Sequence, residues 1–154
     1  AKCASLGCKV VAAQEVSQNG DLTAASRNLA NTFLQQYPKG SLDYIVPPSD
    51  SQSLGVQQAL STSGRDEVYI AGFDSADPNL QWIRDGKYQW FDIASPLNYS
   101  SWAAVDQAIR ILAGQKGQDL KLPSQFITKD NVPAVGAPVE TTDFATAYKA
   151  AWGK

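Results

Sequence analysis

Short apolar runs alternate along this chain with longer segments whose apolar residues recur every three or four positions. That rhythm predicts five strand-plus-helix units in sequence. Cys8 to Gln14 (CKVVAAQ) reads as a buried strand, and Asp21 or Thr23 caps a helix that runs to Tyr37 and stops before Pro38. Leu42 to Val46 predicts the second strand, with a helix over Ser51 to Ser63 ended by Gly64. Glu67 to Phe73 predicts the third strand, followed by a short helix opened by Pro78 and closed by Gly86. Tyr88 to Ala94 is the fourth predicted strand. The helix after it, Pro96 to Leu112, carries Trp102, Val105, Ile109 and Leu112 at helical spacing. Gln125 to Thr128 is the last predicted strand, and a terminal helix sets Phe144, Tyr148, Ala151 and Trp152 on one face. The fold class that follows is α/β, a mainly parallel sheet with helices on both faces.

Composition narrows the chemistry. The 154 residues include no His, which removes the commonest general base and metal ligand. A net charge of −2 with scattered Lys and Arg gives no basic patch, so no nucleic-acid partner is expected. No Gly-rich phosphate loop and no nucleophile-elbow motif occurs, and neither catalysis nor a cofactor or metal is expected. Cys3 and Cys8 leave two readings open, a buried thiol pair or a local disulfide formed in an oxidising compartment. The absence of Met predicts a processed product or an internal fragment.

In open parallel sheets ligands bind beyond the carboxyl ends of the strands. That rule selects Gln14-Glu15, Pro48-Ser49-Asp50, Asp74-Ser75 and Ala94-Ser95 as candidate positions. A carboxylate placed there can accept ligand hydroxyls, or it can cap the helix that follows. Trp90 and Tyr88, early in their strand, read as core residues.

Five stretches carry a family resemblance: DYIVPPSDSQSLG (Asp43 to Gly55), VYIAGFDS (Val68 to Ser75), WIRDGK (Trp82 to Lys87), ILAGQ (Ile111 to Gln115) and FITKDNV (Phe126 to Val132). In order and spacing the chain resembles the second half of periplasmic sugar-binding proteins of the ribose, galactose and inositol type, the solute-binding components of ABC importers. Effector domains of LacI-type regulators share that fold and are the alternative. The resemblance implies a type I periplasmic-binding-protein lobe, a flavodoxin-like three-layer sandwich, over residues 1–132, with 133–154 as a C-terminal extension. It implies a first lobe absent from this sequence, against which 96–122 would pack. It also implies a sugar or polyol ligand, a membrane permease as partner, and a periplasmic or extracellular location. In such proteins the turn after the second strand here reads Asn-Asp; this chain has Ser49-Asp50. Gly72-Phe73-Asp74 is intact, and its Asp accepts sugar hydroxyls. Ala94 stands where the family often has Gln. The ligand-binding candidates are therefore Asp74, Ser49, Asp50, Ala94, Ser75 and Gln14. Without the first lobe, the stripe on the 96–112 helix is expected to find its own sheet or a second copy in a domain-exchanged homodimer.

Overall fold

The structure is a computed structural model that describes residues 5–16, 19–140 and 142–153. Helix α1 (Leu22–Gln36) starts at Asp21, whose carboxylate accepts the Ala24 amide at 3.0 Å. It stops one residue before Pro38, which disfavours helical geometry in its predecessor. Its buried residues, Ser26, Ala30 and Leu34, lie four apart on one stripe. After β1 (Tyr44–Ile45), helix α2 (Asp50–Ser63) ends at Gly64, which takes the left-handed conformation at φ 66°. Strand β2 (Tyr69–Phe73) leads to α3 (Asp77–Asp85), and β3 (Gln89–Ala94) leads to α4 (Leu97–Leu112). Strand β4 (Gln125–Thr128) and helix α5 (Phe144–Ala151) complete the order.

The four strands lie in the order β1-β2-β3-β4. The first two pairs are parallel and β4 runs antiparallel to β3, with Ala94 opposite Gln125. Helices α1 and α2 enclose one core with Val56, Leu60, Val68 and Ile70 at its centre. Leu80 and Ile83 of α3 form a second core with Ala94 and Ile127. Arg65 ties α1 to the turn after α2. Its guanidinium donates to the carbonyls of Leu34, Tyr37 and Pro38 at 2.9–3.3 Å and to Glu67 at 2.6 Å. These cores place the α/β architecture as the pattern predicts.

Three expectations change. Cys8 to Gln14 forms no strand, and Val10 and Val11 are 74% and 40% exposed. A cavity of about 130 Å³ separates Val11, Ala12 and Val16 from Tyr44, Ile45 and Val46, so no neighbouring edge lies close enough to supply ladder bonds. A hydrogen bond from the Tyr37 hydroxyl to the Val11 carbonyl bridges this gap. Trp90 is not core: it is 54% exposed and forms an aromatic strip with Tyr69 and Tyr44 on the sheet face away from the two cores. Tyr88, by contrast, packs against the core with Trp82. On α4 only the first turns gain cover. Trp102 stacks on Trp152 and Tyr148, while Val105, Ile109 and Leu112 remain exposed, so within this chain the stripe does not find its own sheet.

The C-terminal stretch folds back onto α4. The Glu140 carboxylate accepts the Asn98 and Tyr99 amides at 3.0 Å each, at the end of the helix where backbone donors lack partners. Trp152 donates from its indole nitrogen to Asp106, and Tyr99 stacks on Phe144. Arg110, followed by that indole, holds the Asp106 carboxyl below the usual aspartate range.

Candidate ligand-binding site

The carboxyl ends of β1, β2 and β3 bring three turns to one edge of the sheet. The first is Pro47-Pro48-Ser49, which opens α2. Ser49 is the residue before that helix, and its hydroxyl pairs with the Ser51 hydroxyl at 2.9 Å rather than capping the helix. It is half-buried. The second turn is Asp74-Ser75. Both residues have positive φ, 110° and 64°, a region that non-glycine residues rarely occupy. The Asp74 amide donates to Ile93, and the Ser75 hydroxyl donates to the Asp74 carbonyl. Among the described residues the Asp74 carboxylate has neither a hydrogen-bond nor an ion-pair partner, and the residue is half-buried. Such a carboxylate has its full accepting capacity available to a ligand.

Two other candidates sit beneath this edge. Asp50 is 1% exposed, and both its oxygens are occupied: Oδ1 accepts the Phe73 amide at 3.1 Å and Oδ2 accepts the Ala76 amide at 2.7 Å. Ala94 is 3% exposed and packs with Leu80, Ile83 and Ile127, so its methyl group belongs to the second core. Gln14 is exposed at the far side, where it lines an open cleft with Glu15, Pro48 and Gln52. Cys8 is exposed and disulfide-bonded, which overturns the buried-thiol reading; Cys3 lies outside the described residues.

Further polar residues under the turns were not singled out by pattern. Asp92 is fully buried, accepting the Ser75 amide at 3.0 Å and the Gln89 side-chain amide at 2.7 Å. Gln89 in turn accepts from the Asn79 side chain at 2.7 Å. Burial pushes the Asp50 carboxyl up to about 8, and the neighbouring Asp92 adds to the rise. Burial also raises Asp92. Gln52 is 2% exposed and, among the described residues, its side-chain oxygen has no partner, at the wall of the cleft that Gln14 lines. A polar pair inside the run YQWFDIA was the signal available in the sequence.

Residues 2–116 match the family described as periplasmic binding protein domain. The chain belongs to that family. The ribose import binding protein of Escherichia coli (strain K12) is 29% identical over 100 residues, which is 62% of this chain and 33% of that protein. A solute binding protein of an ABC transporter from Agrobacterium vitis, solved with bound allitol, superposes with a TM-score of 0.69 at 22% identity. The match covers 80% of this chain and 43% of that one. The myo-inositol binding protein of Caulobacter, solved with myo-inositol, gives a TM-score of 0.65 at 21% identity over 71% of this chain and 38% of that one. The periplasmic binding protein fold of type I is thus common to this chain and to these relatives, and the chain spans less than half of the length of each.

Proposed function

We propose that this chain is the ligand-facing second lobe of the substrate-binding component of an ABC importer, exported to the periplasm and selecting a sugar or sugar-like polyol. Its partner in that role is a membrane permease, to which a loaded binder delivers its ligand. The observation that carries the reading is the Asp74 carboxylate, unpartnered and half-buried at the sheet edge, in a family of solute binders. A polyol presents several hydroxyl donors, and an ionised carboxylate accepts two of them in short, directional bonds. The Ser49 and Ser75 hydroxyls, which donate or accept, complete a small polar rim. Ser49 is shorter than an Asn and offers one donor where an amide offers two, which favours a ligand with bulk or a bridging water at that end.

Binding in two-lobed proteins gains much of its affinity from closure, which buries the ligand between two polar surfaces. This chain supplies one such surface. Its affinity for myo-inositol, allitol or D-ribose is therefore expected to be on the order of 1 mM or weaker. Amide chemical-shift titration tests this: shifts are expected at Ser49, Asp74 and Ser75, and Asp74→Ala is expected to abolish them. Shifts confined to other parts of the chain, or a fold-neutral Asp74→Ala that binds as the parent does, would refute the reading. So would micromolar affinity for the lobe alone.

A further inference from the structure

We propose that Asp50 and Asp92 act as one unit, the positioning residues that hold the Asp74-Ser75 turn in its ligand-accepting shape. The positioning of the turn stands on geometry alone; its relevance to binding rests on the reading of Asp74 given above. Two consecutive non-glycine residues with positive φ hold a sparsely populated backbone conformation, so the turn needs support from its surroundings. That support is concentrated in two side chains. Of the four successive amides from Phe73 to Ala76, Asp50 accepts the first and last and Asp92 accepts that of Ser75. The remaining one, on Asp74, goes to the carbonyl of Ile93, the last residue but one of β3. One carboxylate comes from the start of α2 and the other from β3, so the turn is pinned from both of its flanks.

The two carboxyls adjoin each other inside the fold, and neither of the ion pairs among the described residues involves them. The groups that face them are neutral or acidic. From α3 comes the Asn79 amide, from β3 the Gln89 amide, and from the turn itself the Asp74 carboxylate. With no cation paired to either among the described residues, two adjoining buried carboxylates cannot both ionise cheaply, and one retains a proton that the other accepts. Gly72 makes the arrangement possible: a β-carbon there would collide with the Gln89 amide and with Asp92. Removing the shared proton sets two anions against each other beneath a third, on Asp74, and the turn loses the arrangement that fixes its amides.

The sign follows from linkage. Asp50 is raised from 3.8 to about 8, so the folded chain binds a proton that the unfolded chain has released across that interval. Stability from this group therefore falls as pH rises from the ordinary aspartate range toward about 8, and is flat above it.

The test needs no ligand. The carboxyl carbons of Asp50 and Asp92 and the amides of Phe73, Ser75 and Ala76 would be followed by NMR between about pH 4 and pH 10. Expected is a common alkaline transition in all five signals, with amide exchange at Ser75 and Ala76 rising roughly tenfold beyond it. Asp92→Asn is expected to lower the pH of that transition while keeping the fold, because the burial of Asp50 remains and the neighbouring charge is gone. The oxygen of the substituted side chain still accepts the Ser75 amide, and the Asn79 side-chain oxygen, unpartnered in the parent, can take the Gln89 amide after both side chains flip. Asp50→Asn, which turns an acceptor oxygen into a donor facing a backbone amide, is expected to speed exchange at Phe73 or Ala76 even at about pH 6. Two carboxyls that titrate separately below about pH 5, or amides that stay still while the carboxyls titrate, would overturn the proposal. Adding myo-inositol separates the two claims. Loss of its shifts above the transition supports both, whereas an intact transition with no inositol shifts at any pH leaves the turn positioning standing and removes the ligand reading.

Discussion

Replacing Gly55 by Ala in the middle of α2 should destabilise the protein, against the ordinary helix preference. On propensity alone the change favours the helix by about 1 kcal/mol, because Ala loses less backbone entropy. Packing decides otherwise. A β-carbon on residue 55 would stand 2.8 Å from the Arg27 backbone nitrogen and 3.1 Å from the Ser26 β-carbon, and closer still to the Thr23 carbonyl oxygen. Two of these atoms are backbone atoms of α1, so no rotamer change relieves the clash and the two helices must separate. Overpacking of this kind costs about 1–3 kcal/mol, and a rigid backbone contact belongs at the upper end. The net expectation is a loss of about 2 kcal/mol, or roughly 4–8 °C in Tm for a chain of this size. Urea denaturation followed by circular dichroism would measure it, with Ser61→Ala as the control. Ser61 is exposed on the same helix and bonds only within it, so its replacement should gain a few tenths of a kcal/mol. A Gly55→Ala variant as stable as its parent would show that α1 and α2 do not approach this closely. The start of α2, and with it Asp50, would then be less firmly placed than described.

Two further outcomes follow from the packing. Arg65→Ala should cost about 3–5 kcal/mol because it strands the Leu34, Tyr37 and Pro38 carbonyls. Arg65→Lys should recover less than half of that loss, since an ammonium cannot reproduce the planar fork; equal melting of the Lys variant and the parent would refute the role given to the guanidinium. Trp90→Lys should change stability by less than about 1 kcal/mol while lowering binding of a hydrophobic dye, because the ring is mostly exposed on the open face of the sheet. A large loss of stability would mean that the aromatic strip is a core after all.

The helices were legible because their ends carry local chemistry: Asp21 caps an amide three residues on, Gly64, Pro78 and Gly86 act through their own backbone, and none needs a partner from elsewhere in the fold. The strands were legible in position but not in face. In QWFDIA the place of Trp90 early in the strand suggests that its ring points inward. The structure instead buries Gln89 and Asp92, because the covered face offers Asn79 and the Ser75 amide as partners and Gly72 as room. Which face of a strand is buried depends on the layer packed against it, and that layer lies outside the strand's own sequence. The stretch from Cys8 failed for a related reason: an apolar run becomes a strand only when an edge is within reach, and here a cavity intervenes. Asp74 and Ser75 could be placed at the sheet edge from sequence, whereas the buried roles of Asp50 and Ala94 could not.

The same contrast weights the candidate contacts. Gln14 sits on a segment joined to the body across a cavity, with its backbone outside the sheet. Fixing such a segment around a ligand costs about 1–2 kcal/mol for each residue ordered. The Asp74-Ser75 turn has met that cost during folding, through four amides already bound within the protein. A ligand that engages Asp74 therefore keeps most of the energy of its hydrogen bonds, whereas one that engages Gln14 spends part of it on ordering the chain. Between two polar groups of similar strength at the same edge, the preorganised one dominates affinity. On the proposed function, Asp74 and its supports should for that reason govern ligand selection, with Gln14 contributing once a neighbouring surface has fixed its segment.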